Sequence, residues 1–424
     1  MGVKNDKSEA NDGKADNEGI SGGEEMGQVM ALIEESLERG FPGGQLLVEY
    51  RGEIVYDLAF GSTQLVDITI DSESPFSKMA VIRGEPVTKE TRFDIASLTK
   101  IFATTYLFQY YYQQDPALLE RHVASFFPPD QWHYPVIVGS IPLKALLSHH
   151  AGFEPNPLFY DPHYSEALYS QDRSQFAEKL LQAPLINKPE SVGLYSDVDF
   201  MLLTFILEKI GGRSIEAQLE DLFWKPLGLT HIGFNPRAKG ISPQEIAATE
   251  RHGNSRDHTV DFPNMRRYML QGEVQDEKAF HCMAGVSGHA GLFSNSDDLY
   301  RLFQLMQEEN AIFSYQTQQY FLTPPYQDLT FALGYRLNGP DMGYMFGDYA
   351  GKGEKPAFGH TGWTGALSTY DPKEKLMIIY LTNRKNTPVI DPECNPHLFY
   401  GDRLPAGQYR NMIKAIYTDL GITG

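Results

Sequence analysis

Ser97 and Lys100 stand three residues apart, in Ala96-Ser97-Leu98-Thr99-Lys100, where an apolar helical run begins. Positions i and i+3 share a helix face, so the lysine amine can lie against the serine hydroxyl. An amine in a partly desolvated pocket can take or stabilise the proton that a serine must lose to act as a nucleophile. That is acyl-transfer chemistry. A chain of this size holds roughly one or two Ser-x-x-Lys matches by chance, and a capping serine followed by a solvated lysine is the plainer reading. Two further segments bear on the choice. Gly193-Leu194-Tyr195-Ser196-Asp197 puts a tyrosine at the entry of an apolar helix. A phenol close to cations is expected to lose its proton below the usual value of about 10; the plainer alternative is a boundary tyrosine with Asp197 as an N-cap. Phe358-Gly359-His360-Thr361-Gly362-Trp363-Thr364-Gly365 carries three glycines beside a strand-like run. That pattern suggests a strand whose backbone passes close to a ligand, against the alternative of a Gly-rich turn with an incidental histidine.

The elements that must position these residues are legible in part. Residues 24–39 have apolar side chains at helical spacing and stop at Gly40. Two β-rich runs then flank Arg51-Gly52, which reads as a tight hairpin. Residues 61–90 read as a long loop or insertion, and a helix is expected over 97–114. The middle of the chain is helical in pattern, near 141–148, 172–183, 197–210 and 215–225. Leu376–Leu381 is a continuous apolar run suited to a sheet buried on both faces, and a last helix is expected near 405–420. The simplest arrangement is one sheet built from both ends of the chain with a helical lobe inserted between. The site would lie in the cleft where the lobes meet.

Other motifs fail. Gly347–Gly353 has the wrong glycine spacing for a phosphate loop, and Gly285-Val286-Ser287-Gly288-His289 lacks the last glycine of a nucleophile elbow. His149 and His150 are adjacent, point in different directions and are expected to be structural rather than a metal pair. The net charge of −19 over 424 residues argues against nucleic acid and anionic membranes as partners. The two cysteines, Cys282 and Cys394, make no metal-ligand spacing. Neither a metal nor a cofactor is expected. Residues 1–23 are polar, small and without an apolar leader core, and read as a disordered tether.

In chain order, Ser-x-x-Lys, then a Tyr-based motif, then Lys/His-Thr-Gly is the pattern of the serine β-lactamase and penicillin-binding-protein superfamily, and the three segments resemble it. Thr91–Ser97 looks like the lead-in to the nucleophile in its class C β-lactamase-like branch. Leu146-Leu147-Ser148-His149-His150-Ala151-Gly152 resembles the Leu-Leu-x-His-x-x-Gly loop of that branch, and Tyr195–Leu203 and Gly285–Ser294 are similar to its penicillin-binding protein 4B group. The likeness runs from about residue 26 to 420. It implies an α/β (α+β) fold, with an antiparallel sheet flanked by helices and an inserted all-α lobe. Residues of about 24–96 and 290–424 would form the α/β lobe, and about 97–289 the helical one.

By position, the resemblance makes Ser97 the acylated nucleophile, Lys100 the group that eases its alkoxide, and Tyr195 the general base. The N–H groups of Ser97 and Trp363 would form the oxyanion hole, with Asp197, His360, Thr361 and Gly362 lining the substrate site. Two positions depart from the pattern: Asp197 stands for the usual Asn, and His360 for the common Lys. Together they are expected to leave the pocket up to two charges less positive, with Arg384 as a candidate to restore one; they argue against an efficient β-lactamase. The expected function is a serine-type D-alanyl-D-alanine carboxypeptidase acting on peptidoglycan stem peptides or β-lactams in the cell envelope, with any membrane contact through the N-terminal tail alone. The alternatives are a carboxylesterase and a non-catalytic penicillin-binding sensor.

Overall fold

The computed structural model describes residues 27–69, 80–307 and 310–422; the tether expected over 1–23 lies outside them. The first helix, α1, runs Gln28–Glu38. Strands β1 (Gly43–Tyr50) and β2 (Glu53–Gly61) pair antiparallel across Arg51-Gly52. Both turn residues have positive φ, 54° and 89°, as a two-residue hairpin matched to strand twist requires. Late in the chain come β3 (Arg336–Leu337), β4 (Phe358–Gly362), β5 (Ala366–Asp371) and β6 (Leu376–Thr382). The six form one antiparallel sheet in the order β2-β1-β6-β5-β4-β3, so β6 from the end of the chain pairs with β1 from its start.

Every residue of β6 is buried, and its side chains alternate between two cores. Ile378 and Tyr380 join Leu46 and Val48 of β1 under α1 and the last helix, Tyr409–Asp419. Met377, Ile379 and Leu381 face the larger core, which contains Leu98, Phe102 and the helical middle of the chain. Two departures from the expected elements concern the environment of the site. Residues 61–90 contain a strand pair, Leu65–Thr69 with Ala80–Arg83, built from β-branched runs in what looked like loop. The helix expected over 97–114 is α-helical only over Tyr106–Gln114; it begins with a 3₁₀ turn at Ala96–Leu98 and a wider π-helical stretch at Lys100–Thr105. There the Thr105 hydroxyl donates to the Lys100 carbonyl at 2.8 Å, a competing local bond that loosens the α-helical ladder. Among the described residues no helix is long and apolar enough to cross a membrane.

Candidate active site

Ser97 enters its turn through Ala96, whose φ of 45° is unusual for a side-chain-bearing residue. The strain is held from several sides. The Asp94 carboxylate accepts the Ala96 N–H at 2.8 Å and the Gln275 N–H at 2.7 Å, and the Asp94 carbonyl accepts the Thr364 hydroxyl at 2.6 Å. Burial lifts the Asp94 carboxyl to about 6. The strand β4 closes on this turn through Gly362: a Cβ there would lie 2.5 Å from the Ile95 carbonyl oxygen. Gly359 and Gly362 thus permit close approaches of backbone to backbone, Gly359 to the Ser368 carbonyl and Gly362 to that of Ile95. The latter approach brings Trp363 beside the nucleophile turn. Among the described residues the Trp363 N–H has no acceptor, and the Ser97 N–H lies in a first helical turn that supplies none.

The Ser97 hydroxyl lies 3.1 Å from Lys100 Nζ and accepts the Tyr195 hydroxyl at 2.9 Å. Lys100 is fully buried, and its ammonium has three acceptors: Ser97 Oγ, Asp197 Oδ1 at 2.8 Å and the His289 carbonyl at 3.1 Å. Burial alone would depress its pKa, but Asp197 and Tyr195 outweigh it, so Lys100 is held as a cation. Tyr195 departs from expectation. Burial raises its phenol above the usual value, more than Lys100 draws it down, and the proton stays on oxygen in the resting site.

Ser196, not Asp197, caps the helix α2, Asp197–Gly211, by accepting the Val198 N–H. Asp197 turns inward instead. Its second carboxylate oxygen lies 3.4 Å from Lys278 Nζ, which lies 3.3 Å from Asp276 and donates to Asn156 at 2.6 Å. Asp276 in turn meets His289 Nε2 at 2.9 Å. Asp197, Asp276 and His289 bring their ligand atoms within 4.8 Å of one another, and the Lys278 ammonium supplies positive charge beside both carboxylates. Lys100 and Lys278 together draw the Asp197 carboxyl below its ordinary range despite its burial. The segment Gly285–Ser294 backs this row: the Gly288 carbonyl accepts from Thr104, and Ser287 is buried against His289.

His360 is buried, and burial followed by the charges of Lys100 and Arg336 pushes its pKa down to about 3. It is a neutral imidazole, with Nδ1 2.7 Å from the Thr361 carbonyl oxygen. Sequence reasoning missed Arg336 on β3, whose guanidinium stands 5.0 Å over the Tyr195 ring. No ion pair among the described residues includes it, and burial lowers its pKa. The expected charge deficit is thus offset from outside the motifs, at Asp197 by Lys278 and near His360 by Arg336. Arg384, the candidate suggested by the sequence, points elsewhere: its Nε lies 3.0 Å from Asp402, and its guanidinium covers Tyr409. No local pattern marks Lys278 or Arg336. Their value comes from tertiary placement, although Lys278 closely precedes the Gly285–Ser294 segment.

These groups line one cavity of about 360 Å³. Ser97, Tyr195, His360, Thr361 and Arg336 line it together with Asn156, Gln275, Glu277, Lys278 and Arg256. Trp363 forms part of its wall, between the Arg256 guanidinium at 5.2 Å and the Lys385 ammonium at 4.2 Å. The arrangement can activate a hydroxyl, place donors at a developing oxyanion and hold a carboxylate.

The beta-lactamase family profile matches residues 29–401. The chain is 40% identical over 400 residues to a Bacillus subtilis protein named N-acetylmuramyl-L-alanine amidase, covering 92% of this chain and 88% of that one. It is 37% identical over 410 residues to an Escherichia coli K12 protein named "Putative D-alanyl-D-alanine carboxypeptidase", covering 94% and 91%. Among solved structures, EstCE1, described as a hydrolase with promiscuous acyltransferase activity, superposes with a TM-score of 0.63 at 20% identity over 92% of this chain and 97% of its own. A D-amino acid amidase from Ochrobactrum anthropi gives 0.62 at 17% identity over 92% and 98%. At such identities these likenesses speak for the fold alone. The chain belongs to the beta-lactamase family and is a serine hydrolase of that family.

Proposed function

We propose that this protein hydrolyses D-alanyl-D-alanine-type peptides of the cell wall through an acyl-enzyme on Ser97, in the cell envelope. The observation that carries the reading is the convergence of Tyr195 and Lys100 on one hydroxyl, 2.9 and 3.1 Å from Ser97 Oγ. Lys100 is a fixed cation and so serves as an electrostatic partner. Tyr195 is the proton acceptor: its own phenolic proton first passes to solvent water through the cavity that it lines, and the phenolate left beside Lys100 takes the Ser97 proton. Ser97 Oγ then bonds to the substrate carbonyl carbon as its proton passes to the Tyr195 oxygen. The Ser97 and Trp363 N–H groups take the oxyanion, a kind of contact worth about 3 kcal/mol per donor in other enzymes. The C–N bond breaks as Tyr195 returns the proton to the leaving amine, and water repeats the sequence to free the acid.

Arg336 supports a substrate that ends in a carboxylate, because it is a half-buried cation on the cavity wall with His360 and Thr361 and makes no ion pair among the described residues. The polar lining from Asn156, Gln275, Glu277, Lys278 and Arg256 favours a peptide over an alkyl chain, since an alkyl group would displace water from these side chains without replacing its hydrogen bonds. The names of the two bacterial relatives, both wall-directed, agree with this substrate class.

The test is release of D-alanine from a peptide ending in D-Ala-D-Ala, with a p-nitrophenyl ester and a fluorescent penicillin assayed in parallel and Ser97→Ala as control. Release by wild type and not by the variant is expected, with a covalent penicillin adduct. Ester turnover without D-alanine release or adduct would select the carboxylesterase. An adduct without turnover of peptide or ester would select a sensor, and inertness toward all three overturns the reading. Arg336→Met is expected to raise KM for the peptide by about 10- to 100-fold, the worth of a charged hydrogen bond, while leaving that for the uncharged ester unchanged.

A further inference from the structure

Behind Tyr195 lies a pair of titratable side chains that the acyl-transfer steps do not use. His149 and Asp199 are 4% and 1% exposed, and His149 Nδ1 lies 2.8 Å from Asp199 Oδ2. The same Nδ1 accepts the Ser196 N–H at 3.2 Å. A ring nitrogen that accepts an N–H presents its lone pair and carries no proton. It therefore has nothing to donate to Asp199; the proton of the 2.8 Å contact comes from the carboxyl group, and the single lone pair of Nδ1 is shared between that O–H and the longer Ser196 N–H contact. We propose that Asp199 is a neutral carboxylic acid whose O–H donates to an uncharged His149, and that this pair is a clamp positioning Tyr195.

Three further features agree. Asp199 Oδ1 is buried with no hydrogen-bond partner among the described residues, a burial far less costly for the carbonyl oxygen of an acid than for half of a carboxylate. Burial and the nearby Asp197 charge favour the protonated acid, against the pull of Lys100. Burial also disfavours a charged His149, as do the cations Arg336 and Lys100 and the imidazoles of His360 and His150 that face it. The clamp grips both neighbours of Tyr195. Leu194 N–H donates to the His149 carbonyl at 2.8 Å and Ser196 N–H to its ring, while the ring itself packs 4.5 Å from the Tyr195 ring. An uncharged clamp adds no negative charge next to a phenol that must become a phenolate.

The inference rests on the role proposed for Tyr195, and its experiment has a reading independent of turnover. Infrared difference spectra of wild type against Asp199→Asn at neutral pH should show the carbonyl stretch of a protonated carboxylic acid, lost in the variant. The Asn amide can donate to the same nitrogen, so Asp199→Asn should keep ester turnover within about threefold, whereas Asp199→Ala should lower kcat about 100-fold, as misplacement of a catalytic group does, with KM unchanged. If no such band is present, Asp199 is ionised and the proposal falls. If Asp199→Asn loses as much turnover as Asp199→Ala, the clamp falls. Inactivity of wild type would reject the acyl-transfer reading, and the spectrum would still decide the protonation of Asp199.

Discussion

The two sides of Ser97 bury ionisable groups in opposite ways. On one side Lys100, Asp197, Lys278 and Asp276 stay charged and alternate in sign along a row ending at His289. On the other, His149 and His360 lose their charge to burial, and Asp199 favours its protonated form. The first solution draws on four separate chain segments, because each buried charge needs a partner of opposite sign. The second needs little more than local acceptors, such as the Thr361 carbonyl for His360 and the Ser148 carbonyl for His150. The difference shows where catalytic charge is kept. The row holds one fixed cation against the nucleophile, and the neutral side leaves the tyrosine free of an adjacent anion other than Asp197.

The row should break hardest at its catalytic end. Lys100→Met removes the cation beside Ser97 and leaves Asp197 with Lys278 alone. Acylation by a p-nitrophenyl ester, followed by stopped flow, is expected to fall about 10⁴-fold, the scale seen when one member of a catalytic set is removed. Retention of a tenth of the rate would show that charge in the row is dispensable. Further along, Lys278→Met leaves two half-buried carboxylates with one cationic partner fewer, Asp197 with Lys100 alone and Asp276 with His289. Denaturant unfolding should report a loss of about 1.5–3 kcal/mol, the worth of a hydrogen bond to a charged group. Adding Asp197→Asn should return part of it, because an amide in that place needs no counter-ion. If the double variant is no more stable than the single, Asp197 and Lys278 are not energetically coupled and the row is a row in appearance only.

That row also marks the limit of what the sequence discloses. Ser97, Lys100, Tyr195 and the His360–Trp363 strand could be named because each lies in a short motif whose spacing fixes its geometry. The sheet could be anticipated because Leu376–Leu381 is apolar throughout and Arg51-Gly52 sits between two β-rich runs. Lys278 and Arg336 carry no such mark. One is a lysine in the first turn of a short helix, the other an arginine on a two-residue strand, and only the fold turns them into the cavity. Charge arithmetic on motif residues alone therefore predicted a deficit that the neighbours remove. The phenol of Tyr195 misled for the same reason: proximity to a cation could be inferred, but the depth of burial that outweighs it could not.

The neutral side makes a smaller and more graded prediction. His360 titrates near 6.5 when unfolded and at about 3 in the fold. Between those values the unfolded chain binds the proton and the native chain does not. The stability that a neutral His360 permits is thus complete above about pH 6.5 and is lost as pH falls toward 3, at up to about 1.4 kcal/mol per pH unit. His149, also held below its ordinary value, acts in the same direction. Denaturant midpoints measured from pH 7 to 4 should therefore fall with acid more steeply for wild type than for His360→Gln, whose amide cannot take the proton. The ion-paired row has a later onset, since Lys100 and Lys278 hold Asp197 ionised well into the acid range. If the variant lost stability along the same curve as wild type, the acid response would belong to the carboxylates, and the contrast between the two sides would not extend to their titration.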